Sequence, residues 1–430
     1  MRIRTNRGRC QTRTILLIVT GYAAAFVVFG LAVQSPAALL RGLADILTTR
    51  DALLTDYFGV GGIGGGCVNA GLLTLAAAFI YLRTEAKITG ASVAALFLVL
   101  GFGLFGKNLL NAWVIVFGVY IFARFRRETF ATHINTAFFG AALAPVFSEI
   151  LFSTSIPLTL RVPLAVATSL VIGFVLAPAA AHLFKTHMGF SLYNMGFTAG
   201  IVGTLIVAMY KSYGFVPDPV FIWTTGNNRL LATFLSLVFA SMLGAAYVID
   251  RFALARVGEI MRAPGQAPTD FIAMVGFGPT PANMALTGLI GMIYVLAIGG
   301  DLNGPMIGAI LTIVGFSAYG KTSGQHRSDH AWRLRRFVDE ALDGVRSVSH
   351  ARGAVRHDAC ADWGALRLAM GHRRRRCAFV RRVERRAAAR RPRPVQQRFR
   401  RGHRGFGPGP GDPRSAGGVR LRRPGPECVT

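Results

Sequence analysis

The chain has 430 residues, 52% of them hydrophobic and only 16% charged, with a mean hydropathy of +0.44. That balance excludes an ordinary soluble globular domain and indicates a membrane class. The formal net charge of +28 looks discordant until it is located: residues 326–430 hold 27 Arg, no Lys and 9 acids, so 18 of those 28 charges fall in the last quarter. The preceding 325 residues are apolar runs with ionisable groups in short spacers, as a polytopic protein distributes charge.

Taken in chain order, a basic N-terminus (1–13) precedes the apolar run 14–33. The run is long for a secretory signal core and no small-x-small cleavage site follows, so it reads as a retained first span. Crossing the hydrocarbon core takes about 20 apolar residues, because every backbone amide must be bonded internally there. The further runs that qualify are 67–82, 91–106, 109–124, 134–152, 163–184, 190–210, 229–249, 275–296 and 304–319. Four are short (67–82, 91–106, 109–124 and 304–319), which makes them candidates for re-entrant or half-crossing segments. With the N-terminus in the cytoplasm, Arg83, Lys87, Arg124, Arg126, Arg127, Lys185, Arg251, Arg256 and Arg262 all fall inside, and Arg41 and Arg50 are left outside.

Self-similarity is the most informative feature. Residues 56–107 match 270–321 without gaps at an offset of 214, with thirteen of 52 positions identical. The pairs include Asp56 with Asp270, Gly62 with Gly276, Gly64 with Gly278, Asn69 with Asn283, Gly90 with Gly304, Gly106 with Gly320 and Lys107 with Lys321. The same offset carries the first span onto 228–247. Seven spans separate equivalent points, and an odd number implies inverted halves. The expected fold is therefore all-α, a polytopic transmembrane helical bundle with two inverted structural repeats, the second truncated. Its parts are the basic N-terminus 1–13, a first transmembrane repeat 14–213, the start of a second at 228–321, and an Arg-rich tail at 322–430.

Several motifs carry a polar group into apolar sequence. Asn69 and Asn283, Asn194 in the run 192–197, and Asn303 in 299–305 need partners if buried, since an unpaired amide costs free energy in the bilayer. Interhelical hydrogen bonding satisfies that need, at roughly 0.6 kcal/mol each. The sharper reading places Asn69 and Asn283 face to face along a substrate path. Glu149 is an acid inside a span and so also a candidate. Gly59-Val-Gly-Gly-Ile-Gly64 matches a dinucleotide-binding pattern, but no strand precedes it and the second copy breaks it with Pro279 and Pro281. Close packing or a bend in a half-helix explains those glycines better. Cys10, Cys67, Cys360, Cys377 and Cys428 form no CxxC and read as unpaired thiols. His182 and His187, five apart, share no helix face. No metal site, cofactor or catalytic constellation is expected.

The runs Ser191-Leu-Tyr-Asn-Met-Gly-Phe-Thr-Ala-Gly200, Gly299-Gly-Asp-Leu-Asn-Gly-Pro305 and Gly315-Phe-Ser-Ala-Tyr-Gly-Lys321 resemble those of bacterial membrane proteins classed as domain of unknown function 1576. The resemblance implies a multi-pass protein of the bacterial cytoplasmic membrane and brings no substrate, cofactor or catalytic residue with it. The functional expectation is a transporter or channel for a small solute or ion, with the lipid bilayer as its surroundings and a homo-oligomer compatible with it. The rival readings are a membrane scaffold or sensor, or a nucleic-acid arm in the tail, which lacks Lys and has few aromatics to stack on bases. The tail's Arg, Gly, Pro and Ala composition suggests an out-of-frame translation, in which case the chain as written would be inactive. Shifting its codons by one base permits Leu-Tyr-Asn-Asn-Gly-Phe from Pro394 onward, against Leu-Tyr-Asn-Met-Gly-Phe at 192–197.

Overall fold

The computed structural model describes residues 2–320 apart from 52–54, 189–190, 216–221 and 264–268, with side chains from residue 12 onward. The expectations about the tail at 322–430, and about Lys321, lie outside the described residues. Every regular element among those described is a helix. Six are long and apolar enough to cross a membrane: within or spanning α1 (Arg2–Val33), α3 (Tyr57–Arg83), α8 (Leu158–His187), α9 (Asn194–Ser212), α10 (Asn228–Ile249) and α13 (Pro279–Ala297). A seventh is the bent pair formed by α6 (Phe130–Gly140), with its 3-10 extension, and α7 (Pro145–Leu151), which turn by 45°. The shorter apolar helices are α4 (Gly90–Phe102), α5 (Ala112–Phe125) and α14 (Gly304–Phe316). The apolar runs seen in the sequence thus become helices, because a continuous helix satisfies its own backbone where water is absent.

Two helices were not visible as spans. Short α2 (Pro36–Thr48) and α11 (Ala253–Met261) have apolar residues on one face only and bury Leu39, Gly42 and Ile46, and Ala253, Val257 and Ile260, respectively. α2 packs on α3 and α11 on α13.

The elements recur at the offset of 214 in order: α1 with α10, α2 with α11, α3 with α12 (Phe271–Val275) plus α13, and α4 with α14. The backbone breaks recur as well. Within α3, Gly62 has φ 78° and ψ 165°; at the α12–α13 junction Gly276 has φ 87° and ψ 175°. Only glycine adopts that conformation without strain. The carbonyl freed by each break finds a side-chain donor. Gln34 Nε2 donates to the Gly61 carbonyl at 3.1 Å, and Arg256 Nη2 donates to the Val275 carbonyl at 2.9 Å. Gln34 Oε1 also accepts from the Gly65 amide at 3.1 Å. The equivalent residue, Pro279, has no N–H and needs no acceptor.

Equivalent helices meet each other. α4 and α14 cross antiparallel, with Gly90 against the Ala318 carbonyl and Gly304 against the Leu104 carbonyl at the two ends. Gly101 and Gly308 touch between them; a methyl on either would lie 2.8 or 2.7 Å from the other's carbonyl oxygen. α1 and α10 also run antiparallel where they touch. Phe29 stacks on Phe234 at 3.9 Å, and Tyr22 lies beside Ser241 about two turns away.

Candidate functional site

Asp56 and Asp270 cap the helix starts of the two copies and tie each copy to the other. Asp56 Oδ1 accepts from Phe58 N at 3.0 Å and from Gly304 N at 3.1 Å. Its Oδ2 accepts from the amide of Thr224 at 3.0 Å and from the Thr224 hydroxyl. Asp270 Oδ1 accepts from Ile272 N and Ala273 N at 2.9 and 3.2 Å, while Oδ2 accepts from Gly90 N at 3.1 Å. Gly90 and Gly304 are themselves equivalent, so the bond from each aspartate to the opposite copy is exchanged. Such reciprocity is what a two-fold arrangement of contacts produces.

The asparagines chosen from sequence serve mainly as anchors for the backbone. Buried Asn69 donates through Nδ2 to the carbonyls of Gly103 at 2.7 Å and Lys107 at 2.9 Å, holding the end of α4. Buried Asn283 does the equivalent, donating to the Ser317 carbonyl at 2.8 Å beyond α14. Asn303 caps α14, accepting from Met306 N at 3.0 Å, and donates to the Thr224 carbonyl at 3.3 Å. Half-buried Asn194 opens α9, donating to the Ala180 carbonyl at 3.1 Å and meeting His187 Nε2 at 2.7 Å through Oδ1. The Asn69 and Asn283 bonds satisfy carbonyls at the ends of α4 and α14, where the last four have no partner within the helix.

Glu149 belongs to a different assembly. It lies on α7, buried, with its carboxylate 3.7 Å from Arg50 Nε. Next to Arg50 in the chain is Asp51, fully buried in the connection between α2 and α3. Asp51 Oδ2 accepts from the Tyr57 hydroxyl at 2.8 Å, Asn108 Nδ2 at 3.1 Å and Asn111 Nδ2 at 3.2 Å. Asn111 Nδ2 also lies 3.0 Å from Ser148 Oγ on α7, and Asn108 Nδ2 reaches the Ile46 carbonyl at the end of α2. The two asparagines are fixed by the turn between α4 and α5: Asn108 N donates to Asn111 Oδ1, and Asn111 N to Asn108 Oδ1, each at 2.9 Å. Among the described residues Asp51 Oδ1 has no hydrogen-bond partner. Burial pushes the Asp51 carboxyl up to about 8, opposed by the Tyr57 and Ser148 hydrogen bonds and reinforced by the nearby Glu149 charge.

Lys107 sits in the same turn, fully buried, with Nζ 3.5 Å from the Phe138 carbonyl and 4.8 Å from the centre of the Phe102 ring. The Phe102 face attracts the ammonium through its quadrupole. Sequence reasoning counted Lys107 as a repeat identity and passed over Asp51, Asn108 and Asn111 as site residues. The available signal was Lys107-Asn-Leu-Leu-Asn111, three polar groups between two apolar runs too short to be separate full crossings.

The family model described as a protein of unknown function (DUF1576) matches residues 35–212 and 250–325. The chain belongs to this family. No curated protein and no solved structure matched it. The match covers the Asp51 cluster, both glycine breaks and both exchanged aspartates, so these features sit inside the family's own region. This member is a multi-pass helical membrane protein, and the family description assigns none of these residues a role.

Proposed function

We propose that the protein is a carrier for a small solute, built from two halves of opposite orientation in the membrane. The observation that carries this reading is the antiparallel meeting of equivalent helices: α4 with α14, joined by exchanged aspartate bonds. Equivalent elements that run antiparallel belong to halves turned over relative to each other. Between the ends of α3 and α13, with the bent α6–α7 pair taken as one crossing, five membrane-length passes intervene if α4 and α5 form a re-entrant pair, and seven if each crosses. Both counts are odd. Inverted halves with interrupted helices recur in secondary transporters, where the halves rock about a site near the midplane. The glycine breaks at 62 and 276 and the buried Asp51 cluster support the same reading.

A scaffold or sensor is the second reading, favoured by one observation: Asn69 and Asn283 donate to carbonyls at the ends of α4 and α14, and Asn303 caps the start of α14. Reconstitution separates the two. Liposomes containing the full chain and a pH-sensitive dye, challenged in turn with amino acids, sugars, organic acids and nucleosides, should give a saturable solute-driven flux or current that empty liposomes lack. Silence toward every class, with the protein verified as folded, would favour the scaffold.

A further inference from the structure

We infer that the buried cluster around Asp51 is a proton-binding site and that Asp51 is the residue carrying the proton. The argument begins with charge. Two carboxylates, Asp51 and Glu149, lie together with the guanidinium of Arg50, the Arg50 and Glu149 side chains being 15% and 12% exposed. Fully ionised, the three carry a net negative charge in a region of low dielectric, which is costly. One proton removes it.

The geometry says where the proton goes. Arg50 lies against Glu149, favouring its ionised form, whereas the donors reaching Asp51 from Tyr57, Asn108 and Asn111 are all neutral. All three converge on Oδ2. Among the described residues Oδ1 is left buried without a hydrogen-bond partner. A carboxylate oxygen in that position is unsatisfied, and protonation of the carboxyl removes the charge that burial penalises.

The other charged groups on the surrounding elements face elsewhere. Lys107 directs Nζ to the Phe138 carbonyl and the Phe102 ring. Asp56 is held by Thr224, Phe58 and Gly304, and Arg161 on α8 donates to the Ile156 carbonyl. Asp45 on α2 is exposed. The proton's role as the coupling ion rests on the carrier reading above; its presence on Asp51 does not.

Infrared difference spectra of the full chain in lipid nanodiscs, recorded as pH is raised, test the assignment. A protonated-carboxyl C=O band should be present at neutral pH and titrate with a midpoint near 8. Asp51→Asn should abolish the band, and Glu149→Gln should keep it. Tyr57→Phe removes a donor to the ionised form, so it should move the midpoint upward. A wild-type protein without the band, or one that keeps it in Asp51→Asn, overturns the inference. So does loss of the band when sodium chloride replaces choline chloride at constant ionic strength, which would make the site a sodium site. If the band behaves as expected but no solute moves protons across liposomes, the proton site stands and the carrier reading falls.

Discussion

Adding one methyl group at Gly90 or at Gly304 tests whether the two halves hold each other as the exchanged bonds imply. At Gly304 the new carbon would lie 2.5 Å from Asp56 Oδ1 and overlap the Leu104 carbonyl oxygen; at Gly90 it would lie 2.9 Å from Asp270 Oδ1 and overlap the Ala318 carbonyl oxygen. The clashing atoms are backbone carbonyls and carboxylates already committed to hydrogen bonds, so α4 and α14 must separate. Overpacking a close interior contact costs about 1–3 kcal/mol. Separation also stretches the amide-to-carboxylate bond, and a hydrogen bond to a charged group contributes roughly 1.5–3 kcal/mol. Each single Ala should therefore destabilise by about 2–5 kcal/mol. The double variant should fall well short of the sum, because both substitutions open the same interface. Thermal unfolding in detergent is the assay. Gly21→Ala is the control: it is exposed, with nothing within 4 Å of an added methyl, so it should be neutral or stabilising. If either Gly90→Ala or Gly304→Ala cost less than about 0.5 kcal/mol, as a surface change does, the mutual clamp would be refuted.

Single cysteines at Arg83 and Ala297, equivalent exposed positions at the ends of α3 and α13, should be labelled by an impermeant maleimide from opposite sides of the membrane; labelling from one side would end the inverted-halves reading. Gln34→Ala should destabilise more than Gln34→Glu, since Ala strands both the Gly61 carbonyl and the Gly65 amide, whereas Glu still accepts from Gly65; equal melting temperatures would show that the amide does not hold the break. Arg256→Ala strands the Val275 carbonyl and removes the Asp250 ion pair at 2.8 Å, and a loss of about 1–3 kcal/mol is expected in the same assay.

Much of the architecture was legible because bilayer-spanning helices announce themselves by length and apolar composition. Rare residues such as Asp56 and Asp270, matched at one offset, marked the places where the helical elements recur. The glycine run at 59–64 reads as close packing or a bend in a half-helix, and both occur: the break falls at Gly62 and Gly61 packs against Gly42. α2 and α11 escaped notice because they are short and apolar on one face only, and α3 begins at Tyr57, ten residues before its apolar stretch does. Arg50, which the charge rule leaves outside, is half-buried against Glu149. Asp51 was illegible for a related reason. Its neighbourhood, Thr-Thr-Arg-Asp, looks like a solvated connection, and only the approach of the α4–α5 turn and of α7, nearly 60 and 100 residues downstream, buries it.

The exchanged aspartate bonds also bear on how the protein is made. Asp56 waits for Gly304, 248 residues later, and Gly90 waits for Asp270, 180 residues later. A chain inserted from its N-terminus therefore has α3 and α4 in the bilayer while a carboxylate and an amide at their starts still lack their last partners. Segments emerge at about 5–20 residues per second, so that interval lasts on the order of ten seconds or more. During it the early helices are an unfinished half, exposed to mispairing and to proteases that recognise polar groups in lipid. The emergence of Asp270, and then of α14, closes it.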